Sequence, residues 1–214
     1  MDSSFPPTKR IGLLADSHGD LKATAESIRV LRSHQCDCIV HLGDFGDSMR
    51  LDVLSAMIDI LEENGVLPVL GNNDFMVGNM LADPSYMTYR DRERIAAYIR
   101  DVPMKRMVAD MCFAHSLPFD YFKACYEPID DGSTARATRL FQEMEYRILF
   151  CGHSHLPVLF RLRESRVTRE NVAPGRPLPL NSLDRYIMVV GSVEEGESAI
   201  FDRETSAYER IRIF

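Results

Sequence analysis

The chain has no surplus of positive charge. Its 25 lysines and arginines are outnumbered by 32 aspartates and glutamates, for a formal net charge of −7, so little is available to neutralise a polyphosphate backbone and nucleic acid is not expected as a partner. Long apolar runs are also missing. No stretch could span a bilayer, and Met1 to Arg10 holds two prolines where a secretory leader would have an apolar core, which predicts a cytoplasmic protein without a membrane partner. Cysteine pairs at zinc-site spacing are absent as well: Cys36, Cys38, Cys112, Cys125 and Cys151 are odd in number and scattered, several inside apolar runs. That distribution argues against a thiolate-bound metal and for reduced thiols packed as small hydrophobes. No low-complexity tract interrupts the chain. At 45% hydrophobic and 27% charged residues over 214 positions, it has the balance of an ordinary globular protein with one substantial core, a single domain over 1–214.

Against this plain background, polar residues fall at the ends of apolar runs. Arg10 to Ala15 is a strand-length run broken by Asp16-Ser17-His18-Gly19-Asp20, and Leu21, Ala25, Ile28 and Leu31 then follow at near-helical spacing. The pattern repeats. Cys38 to Leu42 precedes Gly43-Asp44-Phe45-Gly46-Asp47, Leu51 to Leu61 is a second amphipathic helix closed by Asn64-Gly65, and Val66 to Leu70 leads into Gly71-Asn72-Asn73-Asp74. Asp16 to Asp44 and Asp44 to Asn72 are each 28 residues apart, close to the length of a β-α-β unit. Three parallel strands with three polar loops at their carboxyl ends are therefore expected, the place where open α/β sheets bind ligands.

The later chain continues the theme with less helix. Phe75 to Val102 gives no clear pattern apart from a charged surface helix at Arg90 to Arg100. Two short strands, Met104 to Val108 and Met111 to Ala114, run into His115, and a helix is expected from about Thr134 to Met144. Ile148 to Phe150 then delivers Cys151-Gly152-His153-Ser154-His155. Strands at Val158 to Leu162, Tyr186 to Val190, Ser198 to Phe201 and Tyr208 to Ile213 finish the chain, with turns around Pro174 to Pro179. Parallel β-α-β first and antiparallel β later predict a mixed two-sheet sandwich with outer helices.

The strand-end residues Asp16, His18, Asp44, Asn72, His115, His153 and His155 come from five segments. They form a mixed oxygen and nitrogen donor set suited to Mn, Fe, Zn or Co. Seven donors exceed the needs of one transition metal and suit two ions sharing a carboxylate. Two ions roughly 3.5 to 4 Å apart can hold a hydroxide as nucleophile and clamp a phosphoryl group, which is phosphoester hydrolysis. His41 and His34 are read as structural or solvent-facing, and Met104, Met107 and Met111 as packing residues.

Asp16-Ser17-His18, Gly43-Asp44, Gly71-Asn72-Asn73-Asp74, His115 and Gly152-His153-Ser154-His155, in this order, resemble the motifs of the calcineurin-like metallophosphoesterases, and Val190 to Asp202 resembles the carboxyl-terminal strands of the small bacterial and archaeal phosphodiesterase-like members. The resemblance implies a four-layer α/β/β/α sandwich and two divalent ions, Mn favoured, with Fe, Zn, Co or Ni as alternatives. Asp16, His18 and His155 would hold one ion, Asn72, His115 and His153 the other, and Asp44 would bridge them. It implies a small phosphoester substrate, with a diester favoured because the histidine many members carry after Gly-Asn is here Asn73. An amide cannot act as a general acid near neutral pH. Asn73 and Asp74 are the candidate catalytic-site residues beside the ligands, Asp74 by orienting one of them. The alternative is a scaffold or binding protein on the same fold, as in the retromer subunit that resembles this family.

Overall fold

The computed structural model describes residues 8–83, 85, 89–119 and 121–214. Among the described residues, twelve strands form two six-stranded sheets. The first takes its parallel half from the opening of the chain: β1 (Arg10–Leu14), β2 (Cys38–His41) and β3 (Val66–Pro68). Beyond β1 it is extended by the antiparallel strands β11 (Glu197–Asp202), β12 (Ala207–Arg212) and the short β9 (Leu178–Pro179). In the second, β5 (Met111–Ala114), β6 (Ile148–Cys151) and β10 (Arg185–Val189) run parallel. They are flanked by β4 (Lys105–Val108) on one side and by β7 (Val158–Arg163) and β8 (Arg166–Glu170) on the other.

Three apolar clusters show the layers. Side chains alternate faces along a strand, so Ile11, Leu13, Cys38 and Val40 of the first sheet meet Phe113, Phe150 and Met188 of the second in the central layer. The opposite face of the first sheet packs against α1 (Leu21–Ser33), α2 (Leu54–Glu63) and α4 (Tyr89–Asp101), through residues such as Ile28, Leu31, Met57, Leu61, Ile95 and Ile99. α5 (Ala135–Glu143) covers the second sheet with Ala137, Leu140 and Phe141. This is the four-layer α/β/β/α sandwich. All five cysteines are free and buried, and among the described residues no helix is long and apolar enough to cross a membrane.

Three segments depart from the sequence reading. Asn72-Asn73-Asp74 does not finish a loop but opens a helix, α3 (Asn72–Met80), whose entry is fixed when the Asp74 carboxylate accepts from the Gly71 N–H at 2.9 Å. The second helix begins with a short 3-10 turn at Leu51–Val53 before α2. The charges of α4 stay exposed as expected, and Arg94 pairs on the surface with Asp59 and Glu62 of α2. β8 forms in a stretch for which the sequence reading has no element, since Arg-Val-Thr-Arg-Glu on a sheet edge carries no continuous apolar run. Met111 is buried as a packing residue, whereas Met107 is exposed.

Candidate metal centre

Loops leaving β1, β2 and β3 of one sheet and β5 and β6 of the other converge on one point, and all seven expected donors lie there. The loops approach closely. Asp16 N–H donates to the Gly43 carbonyl and His18 N–H to the Asp44 carbonyl, both at 3.0 Å, while Gly152 N–H donates to the His115 carbonyl at 3.0 Å. Asp16, His18, Asp44, His153 and His155 all adopt positive φ, between 42° and 73°. The left-handed region costs an L-residue roughly 1–2 kcal/mol, and such strain gathers where the surroundings impose it for function.

One group contains Asp16, His18 and His155, whose candidate ligand atoms lie within 4.8 Å of one another. His18 Nε2 is 3.1 Å from His155 Nε2, and His155 Nε2 is 3.7 Å from Asp16 Oδ1. A second group contains Asn72, His115 and His153: His115 Nε2 lies 2.9 Å from Asn72 Oδ1 and 3.0 Å from His153 Nδ1. Asp44 stands between them, its Oδ2 3.5 Å from His115 Nε2 and 3.9 Å from His18 Nε2. Asp16, Asp44 and His115 also form a group of ligand atoms within 4.8 Å.

The donor chemistry fits a divalent cation. In neutral His115, Nδ1–H donates to the Leu42 carbonyl at 2.9 Å, which leaves Nε2 as a bare lone pair pointed at Asn72 Oδ1, another acceptor. The ring of His153 has the Tyr126 backbone as a hydrogen-bond partner on its own account. Lone pairs brought this close repel each other unless a positive charge lies among them. The carboxylates make the same point: burial, then the Asp44 charge, push Asp16 well above the ordinary carboxylate range. Burial pushes Asp44 upward too, but His115 and His18 when they carry a proton, together with both hydrogen bonds from Asn73, outweigh it and hold that carboxyl low. Desolvation drops His153 to about 4 and lowers His155, so both rings are neutral and available as ligands near pH 7.

Asn73 and Asp74 have distinct partners. Asn73 donates its backbone N–H to Asp44 Oδ1 and its side-chain amide to Asp44 Oδ2, both at 2.8 Å, so it grips the central carboxylate from the amino end of α3, where the helix dipole favours negative charge. Asp74 is fully buried and accepts from the backbone N–H groups of Asp44, Gly46 and Gly71. It ties the Asp44 loop to the helix entry. His41 is buried at the end of β2 and His34 is exposed at the carboxyl end of α1. The orienting contacts of Leu42, Tyr126 and Asn73 carry no sequence signal, because each is a through-space contact between separate loops.

The model of the calcineurin-like phosphoesterase superfamily domain matches residues 10–196. No curated protein matches the chain. Among solved structures, a metallophosphoesterase from Sphaerobacter thermophilus is similar with a TM-score of 0.71 at 21% identity, over 95% of this chain and 88% of that one. A protein of Thermus thermophilus aligns with a TM-score of 0.55 at 13% identity, over 97% and 100% of the two chains. An archaeal phosphodiesterase gives 0.52 at 16% identity, over 94% and 98%. At these identities the likeness is one of fold.

Proposed function

Since the chain belongs to the calcineurin-like phosphoesterase superfamily, we propose that it is a dinuclear metal-dependent phosphodiesterase acting on small phosphoesters. Asp16, His18 and His155 would hold one ion and Asn72, His115 and His153 the other. The observation that carries this reading is the place of Asp44, whose Oδ2 faces both His115 Nε2 at 3.5 Å and His18 Nε2 at 3.9 Å.

When bound, two such ions supply a water of lowered pKa as nucleophile and neutralise charge on the phosphoryl oxygens. The chain's own residues do the rest. Leu42 fixes the tautomer of His115, Asp16 accepts the His153 N–H at 2.9 Å, and Asn73 orients Asp44. Because the Asn73 amide is engaged with Asp44 and has no proton to give near neutral pH, the leaving group departs without an acid at this position. A steep fall of rate with rising leaving-group pKa across a series of aryl diesters is expected, and a flat series would refute it. The diester preference follows the same logic: an enzyme without that acid is suited to diesters with good leaving groups.

The decisive assay compares bis-p-nitrophenyl phosphate with p-nitrophenyl phosphate on chelator-stripped protein, with and without Mn. Turnover restored by metal and favouring the diester supports the proposal. A monoester preference would make the protein a phosphatase, and silence with Mn, Fe, Co and Zn would leave a non-catalytic role on this fold.

A further inference from the structure

Ser17 stands between two candidate ligands, and its side chain points away from them. The residue is fully buried, as are Thr24 of α1 and His41 of β2. Ser17 Oγ lies 2.8 Å from His41 Nε2 and 2.9 Å from Thr24 Oγ1, and Thr24 Oγ1 is 2.7 Å from the Asp20 carbonyl. Counting protons gives the chain a direction. A carbonyl can only accept, so the single Thr24 proton is used on Asp20, Ser17 donates to Thr24, and His41 donates from Nε2 to Ser17. His41 Nδ1, buried and without a hydrogen-bond partner, is then a bare acceptor. The opposite direction would leave a buried N–H unpaired, the costlier outcome.

The relay joins three elements at one point. Asp16 and His18, on either side of Ser17, have φ of 54° and 42°, a strained turn that does not persist unless its surroundings impose it. Backbone bonds strap the turn to Gly43 and Asp44 on one side. The Ser17 hydroxyl ties it to the first turn of α1 and to the end of β2, three residues before Asp44, in addition to the Asp20 N–H that donates to the Ser17 carbonyl at 2.8 Å.

We infer that the His41–Ser17–Thr24 relay is a positioning device that sets Asp16 and His18 at the distance from Asp44 needed to hold one ion of the pair. The inference rests on the dinuclear reading above. His41, Ser17 and Thr24 are positioning residues and touch neither metal nor substrate.

Thr24→Val keeps the shape of the side chain and removes the hydroxyl, whereas Thr24→Ser keeps the hydroxyl. Mn is titrated calorimetrically into chelator-stripped wild type, Thr24→Val, Thr24→Ser and Ser17→Ala, with the melting temperature of each metal-free protein recorded alongside. Two ions on wild type are expected. In Thr24→Val and Ser17→Ala one of them should bind about ten- to a hundredfold more weakly, the other unchanged, with Thr24→Ser matching wild type. Equal weakening of both ions in step with a lowered melting temperature would mark a merely structural role and overturn the inference, as would wild-type affinities in both variants. Fewer than two ions on wild type would instead bring down the dinuclear reading and this inference with it.

Discussion

A β-carbon built on Gly71 would stand 2.1 Å from Asp44 Oδ1 and 2.3 Å from the Asp44 nitrogen. The backbone of one loop passes so close to the next that only glycine fits. Gly71→Ala must therefore push Asp44 away from His115 and His18, and a displacement of this kind costs on the order of a hundredfold in rate. The check is kcat/KM with saturating Mn, where near wild-type turnover would contradict the placement of Asp44. His41 offers a test of different character. Desolvation takes its imidazole down to about 3 from the ordinary 6.5, so between those values the unfolded chain binds a proton that the folded chain refuses. This contribution to stability is complete above pH 6.5 and is lost as pH falls toward 3, at a slope of up to about 1.4 kcal/mol per pH unit. In His41→Phe, denaturation in excess chelator should show a shallower decline over that window than wild type, whatever the offset in absolute stability; parallel curves would refute it.

Among the described residues, the non-glycine positions with positive φ divide into two populations. Those at the candidate metal centre are held by neighbouring loops, while Ala109, at 53°, sits exposed in the turn between β4 and β5. Nothing at Ala109 calls for a side chain, so Ala109→Gly should raise stability by roughly 0.5–1 kcal/mol, the relief of left-handed strain less the entropy of glycine. Urea denaturation measures it, and a loss of stability would show that the turn is not strained. The same contrast between local and imposed structure explains which elements could be read in advance. β1, β2 and β6 are continuous buried runs ending in polar loops, so their sequences announce both the strand and the place of its candidate ligands. α3 does not, because Asn-Asn-Asp-Phe-Met-Val-Gly-Asn-Met buries only Asp74 and Val77 and owes its start to a bond made by Asp74. The convergence of the candidate donors was legible because ligand chemistry restricts residue type. The contacts that aim them, Leu42 on His115, Asn73 on Asp44 and His41 on Ser17, join residues far apart in sequence and could be seen only in three dimensions.

Asp16, Asp44 and Asn72 follow strands of one sheet, and His115, His153 and His155 follow strands of the other. Anything bound by both sets favours the packed sandwich over the unfolded chain. At a metal concentration one hundred times its dissociation constant, such linkage contributes about 2.7 kcal/mol for each ion bound, or roughly 5–10 °C per ion for a chain of this size. Chelation should lower the melting temperature by that amount and Mn should restore it; a melting temperature indifferent to metal would exclude a site spanning both sheets.

The neighbour of β1 bears on how the protein comes into being. β1 lies between β2 and β11, with Arg10 opposite Asp202 and their side chains joined across 192 residues of sequence. The strand that presents Asp16 therefore acquires its second partner only after residues 197–202 have been synthesised. Pairing across such a separation carries a large loop-closure cost and makes folding slow. A nascent chain halted before β11 would carry His153 and His155 and still lack the finished sheet beneath Asp16, so the candidate metal site is completed only once β11 has joined β1.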